Sequence, residues 1–309
     1  MRLSYMYEQI LFHPKWYHYL YILVLLPMAL LYGIGMWIRR KTAKRNDFGI
    51  PIISVGNLIV GGSGKTPFVI ALASRYDKVT IVSRGYGRQS KGLIEVSYQG
   101  EVLTDVIQSG DEAMLMAQSL QHASVIVSED RSKGIMLAKQ QGASLIILDD
   151  GFNQVGIEKF EIILEPMRIE NYLPFPAGPF REFFFCKYMA DIVVKEGRDF
   201  FRKVIYKNLQ ERMLLVTAIS DPERLNVYLP KGVIQKIYLP DHDYFDEKEL
   251  MYLMKEHQAE SLLVTQKDEV KMKSFKLPLS KMKLELDINK DIFQKIEEYV
   301  EGYRREKQD

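Results

Sequence analysis

The stretch Gly61-Gly62-Ser63-Gly64-Lys65-Thr66 constrains this chain more than any other. It follows an apolar run, Ile52-Ile53-Ser54-Val55, and precedes a segment from Pro67 to Arg75 that reads as helix. Strand, glycine-rich turn, Gly-Lys-Thr and helix, in that order, is the arrangement of a phosphate-binding loop. Small residues let backbone N–H groups close around phosphate oxygens, and the helix N-terminus adds donors and partial positive charge. Lys65 would reach the terminal phosphates of a nucleotide, and the Thr66 hydroxyl would ligate its magnesium. Pro67 is compatible, because an early helical position has no intrahelical N–H bond to lose. The general form of the loop has its first glycine where Ile59 stands; here the extra glycines are Gly61 and Gly62. The competing reading is a glycine-rich hairpin followed by a Lys-Thr pair without a role.

The N-terminus is different in kind. From Trp16 to Ile38 there is no Asp, Glu, Lys or Arg. A helix of about twenty apolar residues spans about 30 Å, the thickness of a bilayer's hydrocarbon core. Trp16, Tyr17, Tyr19 and Tyr21 stand at one end and Trp37 at the other, as interfacial aromatics do. Arg39, Arg40, Lys41, Lys44 and Arg45 follow, which by the positive-inside rule places the rest of the chain in the cytoplasm. A signal peptide would carry its charge before the apolar run, the reverse of this order. A helix lying at the membrane surface stays open beside a full crossing, because Pro27, Gly33 and Gly35 weaken a straight span.

With 309 residues the chain has room for more than one core. Its net charge of +2 argues against a dedicated nucleic-acid binder. The single cysteine, Cys186, excludes an internal disulfide and a cysteine metal cluster, and suits a reducing compartment.

Beyond the basic linker, strand-like runs alternate with helical patterns. The strands are predicted at 52–55, 79–82, 124–127, 145–148, 161–164 and 191–194, with helices that include 111–121 and 131–140. Such alternation predicts an α/β fold, a parallel sheet covered by helices on both faces, of the kind that carries phosphate-binding loops. From Met213 a smaller alternation begins, at 213–218, 234–239, 247–255, 262–265 and 282–286. The expected organisation is an anchor and linker over residues 1–45, a nucleotide-binding core over 46–205, and a smaller α/β lobe over 206–309.

Ligands of such sheets gather at the carboxyl ends of the strands. The run Leu145–Leu148 ends in Asp149-Asp150-Gly151, and an Asp so placed holds magnesium in phosphate-loop proteins; an acidic turn is the bland alternative. Asp111, in Ser109-Gly110-Asp111-Glu112, reads equally as part of a helix cap or as a general base taking a proton from a hydroxyl. Ser83-Arg84-Gly85-Tyr86-Gly87-Arg88 suits an anionic group beside a sugar or acyl chain. Arg131 and Arg181 are further cation candidates. Phe183-Phe184-Phe185 reads as core or as a lipid contact. His242, between Asp241 and Asp243, could be an oriented proton carrier or an ordinary loop histidine.

Taken together, and in this order, these stretches resemble the tetraacyldisaccharide 4′-kinase family. The resemblance rests on the apolar N-terminus, Val55-Gly56-Asn57 leading into Gly61–Pro67, Ser83–Arg88, Gly110-Asp111-Glu112 and Asp149-Asp150-Gly151-Phe152. It continues through Pro176-Ala177-Gly178-Pro179 with Arg181-Glu182, then Asp241-His242 and Lys267-Asp268. The glycine spacing of the loop is similar to the family's own. The resemblance implies transfer of the ATP γ-phosphate to the 4′-hydroxyl of a tetraacylated glucosamine disaccharide 1-phosphate in lipid A biosynthesis. It implies Asp111 as the base with His242 as its partner, and Gly61, Gly62, Ser63, Gly64, Lys65 and Thr66 on ATP. Thr66, Asp149 and Asp150 would hold Mg2+, and Arg84, Tyr86, Arg131, Arg181 and Glu182 the lipid headgroup. It also implies a place at the bacterial inner membrane with the catalytic domain on the cytoplasmic face, and neither nucleic acid nor an obligate protein partner.

The chain departs from the family in carrying Asn153-Gln154 where Gln-His is usual, Asp243 where a second His follows, and Gln266 where Glu stands. Lys65, Thr66, Asp111 and His242 are all present. The alternative is a membrane-bound regulatory ATPase that switches a protein partner. Loops of that class usually carry a second lysine just before the glycines, where Val60 stands here.

Overall fold

The computed structural model describes Tyr7 and residues 9–60 and 64–307. Gly61, Gly62 and Ser63 of the expected nucleotide loop lie outside the described residues. The strands are β1 (Ile52–Gly56), β2 (Val79–Ser83), β3 (Ile94–Tyr98), β4 (Glu101–Val102), β5 (Ser124–Val127), β6 (Leu145–Asp149) and β7 (Phe160–Glu165). They continue as β8 (Ile192–Lys195), β9 (Phe200–Lys207), β10 (Met213–Thr217), β11 (Val233–Tyr238), β12 (Ser261–Thr265) and β13 (Leu279–Ile288). The fold is α/β with mostly parallel pairing, as the alternation predicts, and the chain divides into two compact units assembled from separated stretches.

The first unit takes Met1–Lys65, Ser144–Phe201 and Ile288–Asp309. Its strands run in the order β6-β1-β7-β8, all parallel. Every residue of β1 and β6 is buried, which is why both read as unbroken apolar runs rather than as alternating ones. The register pairs Val55 with Asp149, so Asp149 closes β6 beside the carboxyl end of β1. The helix Lys290–Glu306, which the sequence reading does not include, packs on the start of β1. There the Tyr299 hydroxyl donates to the Ile52 carbonyl at 3.2 Å, and its ring stacks on Phe160.

The apolar segment forms the helix Tyr19–Thr42 after a 3-10 turn at Trp16–His18, long and apolar enough to cross a membrane. Ile22, Ala29, Gly33 and Arg40 form one buried stripe along its length. Ile22 and Ala29 pack with Ile10 and Ala177, and a Cβ on Gly33 would lie 2.7 Å from the Phe183 ring. Leu20, Leu23, Val24 and Leu31, on the other faces, are exposed.

The second unit takes Thr66–Ala143 and Arg202–Asp287. It holds β4-β3-β5-β2, with β2 and β5 parallel and β3 antiparallel to β5. The helices Asp111–Ser119 and Arg131–Gln140 belong to it. Its second sheet runs β11-β10-β12-β13-β9. Leu214, Val216, Leu262 and Val264 of that sheet pack on Leu250 and Met254 of the helix Glu247–Glu256.

Candidate active site

Chemistry-bearing side chains gather in each unit. In the first, Lys65 opens the helix Lys65–Ala73 and donates from Nζ to Asn57 Oδ1 at 3.0 Å. Asn57 is itself buried, and its Nδ2 has no hydrogen-bond partner among the described residues, which leaves a donor beside the lysine. Lys65 Nζ also lies 3.6 Å from Asp150 Oδ1, while Asp150 Oδ2 accepts from Arg181 at 2.8 Å. Asp150 sits in the left-handed region, φ 52°, and Gly151 follows because a Cβ there would meet Leu148 and the Ser54 hydroxyl within 2.7 Å. The chain thus turns sharply after β6, keeping Asp149 buried at the strand end and turning Asp150 toward the two cations.

This donor set fits magnesium. Mg2+ usually takes one or two carboxylates and completes its shell with phosphate and water, and its ligands are hard oxygens. Two adjacent carboxylates at the end of β6, Asp149 and Asp150, supply such oxygens. No group of three or more His, Cys, Asp or Glu among the described residues forms a self-sufficient metal cage.

In the second unit the Asp111 carboxylate receives Nδ1 of His242, at 2.9 and 3.0 Å to its two oxygens. Lys267 Nζ lies 3.3 Å from His242 Nε2 and 3.8 Å from Asp111. A carboxylate only accepts, so Nδ1 donates to Asp111, while Nε2 lies between the Lys267 ammonium and Asp241 Oδ2, the latter at 3.4 Å. Lys271 Nζ, buried, stands 3.5 Å from Asp111 and donates to the Asp243 carbonyl. Asp268 is fully buried and balances Lys271, its oxygens accepting from Thr217, Thr265 and the Ala218 N–H. Burial pushes the Asp111 carboxyl up, but the His242 hydrogen bond and the Lys267 and Lys271 charges outweigh it and hold it below the usual value. Lys267 is held above the usual lysine value because the Glu112, Asp111 and Asp241 charges outweigh the effect of its burial.

The backbone around this cluster is constrained. His242 has φ 63°, a conformation that costs free energy and is found where a site fixes a side chain. Gly110 has φ 83°, and a Cβ on it would lie 2.6 Å from the Tyr86 carbonyl; a Cβ on Gly87 would lie 3.0 Å from His242 Nδ1. These glycines let Ser83–Arg88 close over the pair, with the Tyr86 ring edge-on to His242 at 4.9 Å. Ser109 makes no capping box: its hydroxyl donates to the carbonyls of Asp105 and Gly110, and Gly110 precedes the helix Asp111–Ser119.

Of the expected headgroup residues, Arg84 and Tyr86 are exposed and Arg181 half-buried. Arg131 is buried and donates to the Ser128 carbonyl. Glu182 is only 2% exposed, and both its oxygens accept from Arg40. Asn57, Lys271 and Asp268 stand in these clusters although their residue types alone carry no assignment; Arg40, read as a membrane-flanking charge, is buried.

The chain matches the model of one family, LpxK, tetraacyldisaccharide-1-P 4′-kinase, over residues 21–210 and 201–301. It is 47% identical over 284 residues to the tetraacyldisaccharide 4′-kinase of Helicobacter acinonychis (strain Sheeba), covering 91% of this chain and 90% of that one. The tetraacyldisaccharide 4′-kinase of Aliarcobacter butzleri (strain RM4018) is 44% identical over 309 residues, covering 96% and 97%. Among solved structures, "apo" form LpxK from Aquifex aeolicus in complex with ATP superposes with a TM-score of 0.75 at 27% identity, covering 91% of this chain and 99% of that one. These comparisons support the kinase reading and not the regulatory ATPase. Matched over almost its whole length, this chain belongs to the tetraacyldisaccharide 4′-kinase family of lipid A biosynthesis.

Proposed function

We propose that this kinase transfers the γ-phosphate of ATP to the 4′-hydroxyl of a tetraacylated glucosamine disaccharide 1-phosphate, with Asp111 as the proton acceptor. The observation that carries the assignment is the Asp111–His242 contact flanked by Lys267 and Lys271. Phosphoryl transfer asks mainly for positioning and charge neutralisation. Asp111, kept ionised, accepts the hydrogen bond of the 4′-hydroxyl and aims its oxygen at the γ-phosphorus. As the new O–P bond forms and the bond to ADP breaks, the hydroxyl proton passes to Asp111. His242, donating from Nδ1, orients the carboxylate and stabilises its charge until the proton arrives. Gly61, Gly62, Ser63 and Gly64 hold the phosphates through backbone N–H groups, and Lys65 neutralises their charge. Mg2+, held by Thr66 and by Asp149 or Asp150, would screen the charge of the β- and γ-phosphates.

Arg84, Tyr86 and Arg181 are the proposed headgroup contacts. Arg131 and Glu182, being buried, shape the surface those residues present. Functionally, residues 1–45 serve as anchor and linker, 46–205 as the nucleotide-binding core and 206–309 as the lobe that brings His242. We place the enzyme at the inner membrane, facing the cytoplasm, with the outer face of the helix Tyr19–Thr42 in lipid. A buried stripe that runs from Ile22 to Arg40 favours a helix docked along the protein over one isolated in the bilayer.

The test is γ-labelled ATP with tetraacyldisaccharide 1-phosphate in detergent micelles. Label in the lipid fraction is the expected result. ATP hydrolysis that appears only on adding another protein, with no labelled lipid, would overturn the assignment.

A further inference from the structure

Arg40 lies in the last turn of the apolar helix, yet its guanidinium is buried. Nε and Nη2 donate to the two oxygens of Glu182 at 2.7 Å each, and Nη1 lies 3.5 Å from Glu161. Nη2 also donates to the Phe152 carbonyl at 2.8 Å, and the guanidinium carbon sits 3.6 Å above the Phe152 ring centroid. Phe152 is the residue directly after Asp149-Asp150-Gly151. Arg39 reaches the next carbonyl, that of Asn153, at 3.1 Å. Farther on, Asn46 exchanges backbone hydrogen bonds with Gly156 and Glu158.

The end of the membrane helix and its linker are therefore stitched to residues 152–158. Phe152 has little freedom on its other side, because a Cβ on Gly56 would lie 2.6 Å from the Phe152 Cβ. The carboxylate turn is thus fixed at its start by β6 and at its end by Arg40. Two buried glutamates, Glu161 and Glu182, hold Arg40 in place, and Lys159 Nζ balances Glu161 at 2.6 Å.

We propose that Arg40 is a positioning residue for the metal-holding carboxylates, acting through Phe152, so that the membrane helix takes part in building the nucleotide site. The proposal rests on the assignment of Asp149 and Asp150 to Mg2+. A partner behind a ligating carboxylate commonly controls metal affinity by tenfold or more. An Arg is required rather than any cation, because only a planar fork serves Glu182 and the Phe152 carbonyl together while stacking on the ring.

The test uses the full chain in detergent micelles and follows binding of a fluorescent N-methylanthraniloyl-ADP as Mg2+ is varied, alongside turnover. Arg40→Lys keeps the buried charge opposite Glu161 and Glu182 but loses the fork. We expect its Mg2+ concentration for half-maximal nucleotide binding to rise roughly tenfold, with nucleotide affinity at saturating Mg2+ and KM for the lipid unchanged. Phe152→Leu, which changes the other side of the contact, should shift the Mg2+ dependence in the same direction. Arg40→Lys with wild-type Mg2+ dependence overturns the proposal. If Arg40→Lys is not recovered folded, Phe152→Leu with wild-type Mg2+ dependence overturns it. Failure of the kinase assignment would show separately, as wild-type protein that binds nucleotide and labels no lipid.

Discussion

His242 Nδ1 lies 2.9 Å from Asp111 Oδ1, joining residues 131 positions apart in sequence. The contact makes Nδ1 a donor to the carboxylate, which is held below its usual pKa with two lysines behind it. A carboxylate so stabilised is a weak base. It suits a reaction in which the acceptor hydroxyl must be oriented first and deprotonated late.

Asp111→Asn should therefore lower turnover by about 10² to 10⁴, the range for removal of a general base, with nucleotide affinity unchanged. His242→Asn should cost less alone, and the double variant should be little worse than Asp111→Asn, because the two act as a unit. Additive losses would separate their roles, and near-normal turnover of Asp111→Asn would return that residue to a place in helix structure.

Lys267→Met tests the electrostatics. The Lys267 charge is among the causes that hold the Asp111 carboxyl below its usual value. Its removal lets that carboxyl rise, so the acid limb of kcat/KM should move to higher pH. Stability should follow the same sign. A depressed carboxylate stabilises the fold above its unfolded pKa and loses that contribution as pH falls through the folded one. The variant should accordingly unfold at a less acidic pH than the wild type. Superimposable pH profiles would show that Lys267 does not act on Asp111.

Most strands were legible because β1, β2, β5 and β6 are buried throughout and read as short apolar runs ended by Gly, Asp or Ser. The position of Asp149-Asp150 at a strand end followed from that alone. The hairpin of β3 and β4 is absent from the sequence expectation, which follows unbroken apolar runs, whereas Ile94-Glu95-Val96-Ser97-Tyr98 carries the strand signal as apolar–polar alternation. Asp111 pointed equally to cap and catalysis, because a helix-start aspartate looks the same in both; in the structure it accepts from the Glu112 N–H and from His242, and the proposed base role rests on the second contact. Arg40 was misread for a related reason. A cluster of basic residues after an apolar helix has one signature, whether the charges face lipid headgroups or, as here for Arg40, two buried glutamates. The helix Lys290–Glu306 is amphipathic, and its docking on β1 through Tyr299 joins residues 247 positions apart.

Gly110 offers a test of backbone against contact. Both Gly110 and Gly142 have positive φ, but a Cβ on Gly142 would meet nothing within 4 Å. Gly142→Ala should cost about 1 kcal/mol from backbone strain. Gly110, at φ 83° and ψ 155°, lies in a region open essentially to glycine alone, and Gly110→Ala adds a clash with the Tyr86 carbonyl; it should cost about 2 kcal/mol or more and displace Ser83–Arg88 from His242. Thermal unfolding of both variants, with turnover at a temperature where both are folded, measures the difference. Equal destabilisation and equal activity would mean that the close approach of Gly110 to Tyr86 has no role.

The outer face of the apolar helix gives the last prediction. Leu23, Val24 and Leu31 are exposed, while Ile22 and Ala29 pack inward. Replacing the three exposed residues by Gln removes apolar surface from the proposed membrane contact and leaves the packed stripe untouched. At about 1.5 kcal/mol or more for each buried aliphatic side chain, binding to phospholipid vesicles should weaken by about a thousandfold. Secondary structure and nucleotide binding in detergent should not change. Unchanged vesicle binding would move the membrane contact to the aromatic turn Phe184–Met189, where Phe184, Phe185 and Tyr188 are also exposed.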